Sequence, residues 1–230
     1  MGFSDSPFSV IVRKPKVYAD NTSLYSIIND EFKKYGTGCS LNHIDVSGVS
    51  SMNFLFAHRK FNGKYPDISE WDTRNVRHAD MMFSRSDFDG DISGWDTGNM
   101  ETMSNMFSMN ISFNCDISGW NTGNVYDMNS LFYMSDFDCD ISKWDVRKVR
   151  YMQCMFYGNK CFRHDISCWE LESVENMSAM FADSGFNVDV GKWAKYVKSE
   201  TNVRDMFKNN DMYTYDRDVF RHARSNAFSN

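Results

Sequence analysis

The sequence predicts an α/β repeat solenoid, an elongated stack of about seven strand–turn–helix repeats with a cap at each end. Three observations predict it: tryptophans recur every 24 or 25 residues, other residue types keep phase with them, and apolar residues within each interval follow a helical spacing. The tryptophans are Trp71, Trp95, Trp120, Trp144, Trp169 and Trp193. A repeat this short buries its large side chains only against neighbouring repeats, so the period predicts a stack.

Further residue types lie at constant distances from the tryptophans. An aspartate comes four residues before each one, at Asp67, Asp91, Asp116, Asp140, Asp165 and Asp189. A phenylalanine comes twelve residues after the first five, at Phe83, Phe107, Phe132, Phe156 and Phe181. The connection from this phenylalanine to the next one is alternately shorter and longer by one residue. This alternation predicts that the additional residue lies in a loop on one side of the solenoid.

Each repeat combines two kinds of local pattern. Val125, Met128, Leu131 and Phe132 stand at i, i+3, i+6 and i+7, which predicts a short helix. The Asp-Ile-Ser-x-Trp segment places its two large apolar residues three apart, which predicts a very short strand around the isoleucine and then a turn. One repeat is therefore expected to contain a strand, a turn, a helix and a return loop.

The pattern extends over residues 40–209 and divides the chain into three parts. Its first and last repeats are degenerate, as the ends of a stack require. Residues 1–39 are expected to form an N-terminal cap, with a strand at 8–12 and a helix at 21–32 that Asn21 or Thr22 caps and Gly36 follows. Residues 210–230 are expected to form a C-terminal cap and tail, with a closing helix at 216–227.

The repeats resemble those of a known family. The motif Asn-Val-x-x-Met-x-x-Met-Phe, followed by Phe-Asn-x-Asp-Ile-Ser-x-Trp-Asp, is similar to the BspA-like leucine-rich repeat, in the short-period form common in mycoplasma surface proteins and some phage and viral genomes. The resemblance implies a leucine-rich-repeat-like solenoid that binds proteins, often in surface adhesion. Because no signal peptide, lipobox cysteine or anchor is apparent, we expect a cytoplasmic location, with the host-cell cytoplasm or a virion as the alternative.

Composition and charge argue against several classes of protein. The net charge of −6 argues against nucleic-acid binding, because phosphates require a basic surface. No segment approaches the ~20 apolar residues of a membrane-spanning helix. The six cysteines form no C-x-x-C pair, so we expect reduced thiols and no zinc site. No catalytic or nucleotide-binding motif occurs, so we expect no enzymatic activity and no cofactor.

The aspartate before each tryptophan is the sharpest candidate for a metal site. Stacked carboxylates could bind Ca²⁺ as hard oxygen ligands. The alternative is that each carboxylate accepts backbone N–H groups from its own turn. We favour the turn and expect no metal site, because the glycine-rich nonapeptides of known Ca²⁺-binding rolls are absent.

Binding specificity is expected at the positions that vary within the constant frame. In the central repeats these positions hold Tyr126, Tyr133, Arg150, Tyr151, Tyr157, Met109 and Met134. Tyrosine, methionine and arginine are enriched in protein interfaces. The leading hypothesis is that a lateral face binds another protein, for example a host protein targeted by a phage or virus. The alternatives are a structural component of a viral particle or surface layer, a cell-surface adhesin, and tyrosines that only shield the core.

Overall fold

The structure is a computed structural model of the 230-residue chain and describes residues 14–210. Regular secondary structure in this part consists of strand β1 (Val17–Tyr18), helix α1 (Leu24–Tyr35), strand β2 (Ile44–Asp45) and a 3₁₀ helix (Gly191–Lys195). The two strands pair in parallel, with Val17 opposite Ile44. The strand predicted at 8–12 and the closing helix predicted at 216–227 lie outside the described residues.

From residue 40 onward the chain runs in seven similar coils that lie on one another in register. Parallel backbone bridges join each coil to the next through Ser51, His78, Thr102, Asp127, Tyr151, Asn176 and Asn202. We number the coils 1 to 7 as residues 40–66, 67–90, 91–115, 116–139, 140–164, 165–188 and 189–210. The eight residues that begin at each bridge are called the ladder segment of that coil, 127–134 in coil 4. A register of this kind is what the predicted solenoid requires; its assignment to the leucine-rich-repeat class and its division from the caps stay predictions.

The ladder segments occupy the apolar stripes where short helices were predicted, and that prediction is wrong. Alternate N–H groups of a ladder segment donate to carbonyl groups of the next coil, as Met103 does to Asp127 (3.1 Å) and Phe107 does to Leu131 (3.0 Å). The intervening N–H groups close turns within the coil, as Met106 does to Met103 (3.2 Å). The strand predicted around each isoleucine is also a turn in coils 2 to 6, where the tryptophan N–H donates to the isoleucine carbonyl at 3.1–3.2 Å.

Two positions in every ladder segment have a left-handed backbone conformation. In coil 4 they are Ser130 (φ 52°) and Met134 (φ 49°). Residues other than glycine adopt this conformation rarely because it crowds Cβ against the backbone. The N–H groups at these positions reach the next coil, from Ser130 to the carbonyl of Gln153 (2.9 Å) and from Met134 to that of Tyr157 (2.7 Å). In the ladder segments of coils 1 to 6 the residues in this conformation therefore donate to the next coil, and Asp205 and Asn209 of coil 7 share the conformation.

Aromatic rings form columns through the core. Phe56, Phe83, Phe107, Phe132, Phe156, Phe181 and Phe207 stack with ring centroids 5.3–5.8 Å apart and interplanar angles of 5–22°. Within each of coils 1 to 6 a second phenylalanine packs against this column, as Phe137 does against Phe132 at 3.9 Å. All of these rings are buried. The phenylalanine column thus carries much of the hydrophobic stabilisation of the stack.

The polar atoms of buried side chains also bind between coils. The indole nitrogens of Trp71, Trp95, Trp120, Trp144 and Trp169 donate to a carbonyl of the preceding coil at 3.0–3.3 Å. The hydroxyl groups of Thr73, Thr97 and Thr122 donate to a carbonyl of the next coil at 2.9–3.1 Å. Burial of these groups therefore leaves their donors satisfied.

The connections that alternate in length contain two different side chains. Ser86, Ser135 and Ser184 stand in the shorter connections, and Asn110 and Asn159 in the longer ones. The hydroxyl of Ser135 donates to the carbonyl of Phe132 (3.0 Å). The Asn159 amide does more: Oδ1 accepts the N–H groups of Phe162 and the residue before it (2.9 and 2.8 Å), and Nδ2 donates to the carbonyl of Phe137 in the preceding coil (3.0 Å). The amide thus satisfies the backbone of the longer connection.

Helix α1 covers the exposed end of coil 1. It buries Leu24 and Ile28, and its Phe32 ring lies 6.4 Å from that of Phe56, the first ring of the phenylalanine column. Gly36 follows the end of the helix, as predicted, with φ 82°. The predicted N-terminal helix is confirmed, although it begins and ends three residues later than expected.

The predicted helix caps are wrong, because Asn21 serves the first coil instead. The N-cap of α1 is Ser23, not Asn21 or Thr22. The Asn21 side-chain oxygen accepts the N–H groups of Ser50 and Ser51, at 2.8 and 3.1 Å. Ser50 precedes the first ladder segment and Ser51 begins it. Their N–H groups have no earlier coil to bind, so Asn21 takes the place of that coil.

Truncation of the phenylalanine column is expected to be severe. Phe132→Ala should lower the free energy of unfolding by ~3–5 kcal/mol, because the ring packs against a neighbour on either side and its removal leaves a cavity that the stacked backbone cannot close. Chemical denaturation measures this. Exposed Lys143→Ala is the control and should change stability by less than ~0.5 kcal/mol. Equal unfolding midpoints for the two variants would contradict the role of the column.

Replacement of the connection asparagine should also destabilise the stack. Asn159→Ala should cost roughly 2–4 kcal/mol, because it leaves two buried N–H groups and one carbonyl without partners. Exposed Asn99 makes one side-chain bond, to the carbonyl of Arg74, and Asn99→Ala should cost under ~1 kcal/mol. Asn159→Ser combined with deletion of Lys160 converts the connection to the serine type. This double change should be more stable than Asn159→Ser alone. If the single variant were the more stable one, the pairing of serine with the shorter connection and asparagine with the longer one would be disproved.

Candidate functional site

The outward side chains of the seven ladder segments form one lateral surface, which we call the ladder face. In coil 4, Met128, Leu131 and Phe132 are buried, whereas the other side chains of 127–134 are half-buried or exposed. The inward positions are buried in the neighbouring coils as well, because the backbone register repeats, and there some outward side chains such as Thr102 and Ser108 are also buried. Inward positions of the segment are therefore restricted to apolar residues, and outward positions are not.

The residues just before the ladder segments form the first edge of the ladder face. Arg77 forms an ion pair with Glu101 on the next coil. Arg150 forms one with Glu175, from Nη2 to Oε1 at 2.6 Å. Tyr126 lies in the same column between the two pairs, and 39% of it is exposed.

The structure brings three of the predicted binding residues together at this edge. The carbonyl of Tyr126 accepts the N–H groups of Arg150 (2.9 Å) and Tyr151 (3.3 Å), which places them on adjacent coils. The Arg150 guanidinium carbon lies 5.2 Å from the centroid of the Tyr151 ring. Ion pairing and ring contact together hold the Arg150 side chain in one place.

The other four predicted residues lie at the opposite edge, where the ladder segments end. The rings of Tyr133 and Tyr157 stack at 5.1 Å with an interplanar angle of 17°. A hydrogen bond to the Asp183 carboxylate raises the pKa of Tyr157 above its usual value. Met109 and Met134 end two adjacent ladder segments and are 37% and 44% exposed. The predicted residues thus form two clusters separated by the width of the ladder face.

Ile111 belongs to the second cluster and was missed by the sequence analysis. It lies two residues after Met109 and is 65% exposed. A signal was present in the sequence: the residue after the connection asparagine is an aliphatic side chain here, whereas Lys160 holds the same place after Asn159. The repeat gave no way to tell whether this position points inward or outward.

The aspartates before the tryptophans bind their own turns. Backbone N–H groups two residues later donate to the carboxylates of Asp67, Asp91, Asp116, Asp140, Asp165 and Asp189 at 2.7–3.2 Å. The hydrogen bond from the Ser142 N–H is the largest cause that lowers the pKa of Asp140. Within residues 14–210, no group of three or more His, Cys, Asp or Glu side chains is arranged to hold a metal ion. The turn bonding expected from the sequence is present.

A protein family described as "Mycoplasma protein of unknown function, DUF285" matches the chain twice, at residues 26–136 and 110–220. The two matches overlap, and together they span most of the chain and include all seven coils. Neither the comparison with curated proteins nor that with solved structures gave a match. No helix in the described part of the chain is long and apolar enough to cross a membrane.

The bonded carboxylates predict a loss of stability in acid. Hydrogen bonds lower the pKa of Asp116, Asp140 and Asp165 below the usual value of 3.8, so the ionised forms stabilise the fold above that pH. This stabilisation is lost as the pH falls through the lowered values. Thermal unfolding followed between about pH 5 and 2 should show a steep decline that Asp140→Asn makes shallower. The exposed Asp136→Asn control should leave the slope unchanged; a similar change for both variants would refute the assignment.

Proposed function

We propose that this chain, which belongs to the family described as Mycoplasma protein of unknown function, DUF285, is a non-enzymatic protein-binding repeat module. The ladder face is the binding surface in this proposal, and the seven residues singled out from the sequence supply its contacts. The proposal assigns no reaction, cofactor or metal to the chain. Its finer parts are a BspA-like repeat, a capped leucine-rich-repeat-like solenoid and an intracellular protein target such as a host protein.

The contrast between inward and outward positions carries the proposal. The sixth residue of every ladder segment is phenylalanine, because it must stack on the ring below it. The first residue, one edge of the same segment, is Ser, His, Thr, Asp, Tyr or Asn in successive coils. Stability of the stack therefore requires phenylalanine at the sixth position and makes no such requirement at the first position. Variation on a rigid surface is what a binding specificity requires.

Tyrosines on the central coils supply the affinity in this proposal. Tyr126 is exposed, although the ion pairs above and below it show that charged residues fit the same column. Tyr133 and Tyr157 are held against each other, so they lose little side-chain entropy on binding. Rigid aromatic rings with a polar atom are the side chains that most often dominate interface energies.

The rigidity of the backbone supports the same proposal. The ladder segments of coils 1 to 6 donate to the next coil at alternate residues, which ties neighbouring coils of the face together. Seven coils spaced as parallel strands give a face roughly 30 Å long. A surface of this length is compatible with the ~800 Å² that one partner buries in a stable protein complex.

Substitution of two tyrosines tests the binding face. Proteins retained by the immobilised chain would be identified, purified and titrated against each variant. Tyr126→Ser combined with Tyr151→Ser should weaken the complex at least about tenfold, or ~1.4 kcal/mol, with little change in melting temperature. The single Tyr126→Ser variant keeps the test valid if the double variant is unstable.

The matched control removes exposed tyrosines outside the ladder face. Tyr18 on β1 and Tyr35 on α1 are 76% and 48% exposed, and replacing both with serine should not change the affinity. Unchanged affinity in a well-folded Tyr126 and Tyr151 variant would reject the ladder face as the binding surface.

A further inference from the structure

An exposed apolar patch lies at the second edge of the ladder face. Ile111, Met134 and Met109 are 65%, 44% and 37% exposed. Ile111 follows Met109 by two residues in coil 3, and Met134 lies in coil 4. Met109 and Met134 end adjacent ladder segments, which a hydrogen bond from the Met109 N–H to the Tyr133 carbonyl joins at 2.7 Å. The stack does not need these side chains, since their burial contributes little to it.

The connection holds Ile111 in an outward position. Asn110, which is fully buried, accepts the N–H groups of Ser112 and Phe113 at 3.0 and 3.1 Å. Its Nδ2 donates to the carbonyl of Phe88 in the preceding coil (3.0 Å). The turn around Ile111 is therefore tied at three points, and the isoleucine cannot fold back onto the core. An exposed aliphatic side chain presented this rigidly is suited to contact with another molecule.

The next coil leaves room for the methionine. Gly158 occupies the position that follows Met134 in its column, with φ 70°. A Cβ at Gly158 would lie 3.0 Å from Cγ of Met134, closer than an ordinary contact. The absence of this side chain leaves the space that Met134 uses, and a thioether adapts to the shape of an apolar partner.

The two coils that carry the patch are acidic. The first basic residues on either side are Arg85, which ends the ladder segment beside Met109 in coil 2, and Lys143 at the start of coil 5, where Lys160 holds the place of Ile111. Residues 86–142 contain no lysine, arginine or histidine, and their acidic residues are Asp87, Asp89, Asp91, Asp96, Glu101, Asp116, Asp127, Asp136, Asp138 and Asp140. Asp136 follows the connection serine of coil 4 as Ile111 follows the connection asparagine of coil 3, so both begin the connections of adjacent coils at this edge. Asp136 is exposed and forms no ion pair within the described part of the chain.

We propose that this edge binds a cationic amphipathic segment of the partner protein, an inference that rests on the proposed function and specifies its partner. Apolar side chains of that segment would cover Ile111, Met109 and Met134, and a lysine or arginine beside them would reach Asp136. The net charge of coils 3 and 4 favours this occupant: their seven acidic residues, without a lysine, arginine or histidine, attract a basic segment more than an anionic lipid surface, a nucleic acid or an acidic protein. The methionines accept apolar side chains of varied shape, so the charge adds the specificity.

Synthetic peptides test the proposal before the partner protein is identified. The probe is a helical peptide with leucines on one face and lysines beside them, and its counterpart carries glutamate in place of lysine. Fluorescence anisotropy with the full chain should show binding of the lysine peptide and at least about tenfold weaker binding of the glutamate peptide. Ile111→Ser combined with Met134→Ser should weaken the lysine peptide at least about tenfold. Serine already occupies the left-handed conformation at Ser130, so this variant is compatible with the fold.

Charge variants separate the edge from general attraction to an acidic protein. Asp136→Asn should weaken the lysine peptide about threefold and reduce its salt dependence. Exposed Glu172→Gln, in coil 6, removes the same charge elsewhere and should have no such effect. Equal effects of the two variants, equal binding of the two peptides, or unchanged binding to the Ile111 and Met134 variant would each overturn the proposal.

The purified partner distinguishes failure of this inference from failure of the proposed function. Loss of its binding with the Tyr126 and Tyr151 variant but not with the Ile111 and Met134 variant would retain the ladder face and reject this edge. Retention of its binding by both variants would reject the proposed function as well. Loss in both variants is the result expected.

Discussion

The hydrogen bonds between successive ladder segments are the constraint on which the rest of this structure depends. In coils 1 to 6 alternate N–H groups of a segment donate to the next coil, and most of the intervening ones close turns in the same coil. This division satisfies much of the backbone of the segments while keeping the chain in register, so each ring falls on the ring below it. The left-handed residues of these coils take part in the same bonds. Met134, for instance, has φ 49°, and its N–H donates to the carbonyl of Tyr157.

The same constraint explains why the repeat has two lengths. Register in the ladder segments leaves no freedom for an additional residue there, so the residue enters the connection. A serine completes the shorter connection through one carbonyl, whereas the amide of Asn159 satisfies two N–H groups and a carbonyl of the preceding coil. Alternate coils therefore differ in chemistry, and the larger structural unit is a pair of coils.

The candidate site depends on the stack without contributing much to it. Core rings and turn carboxylates occupy positions that recur along the stack. The ladder face carries the positions whose side chains the repeat does not fix. Tyr126 stands in a column where Arg77 and Glu101 also fit, and Ile111 stands where Lys160 fits. A side chain that the repeat does not require, on a backbone that the repeat makes rigid, is available for recognition. Acidic residues are concentrated in coils 3 and 4, on which the proposed charge preference rests.

The sequence by itself determined the period, the buried rings and the bonding of the acidic residues, because each depends on distances along the chain that recur in every coil. It also placed Tyr126, Arg150 and Tyr151 near one another, since equal phase in adjacent repeats means contact. Only the tertiary structure decided that the apolar stripes are turns and not helices. A helix and a series of turns both place every third or fourth residue on the same side of the chain. They differ in whether each N–H donates within its own coil or to the next coil. Only the tertiary structure shows that Ile111 is exposed. A periodicity identifies equivalent residues, but it does not show whether a side chain in a connection points inward or outward.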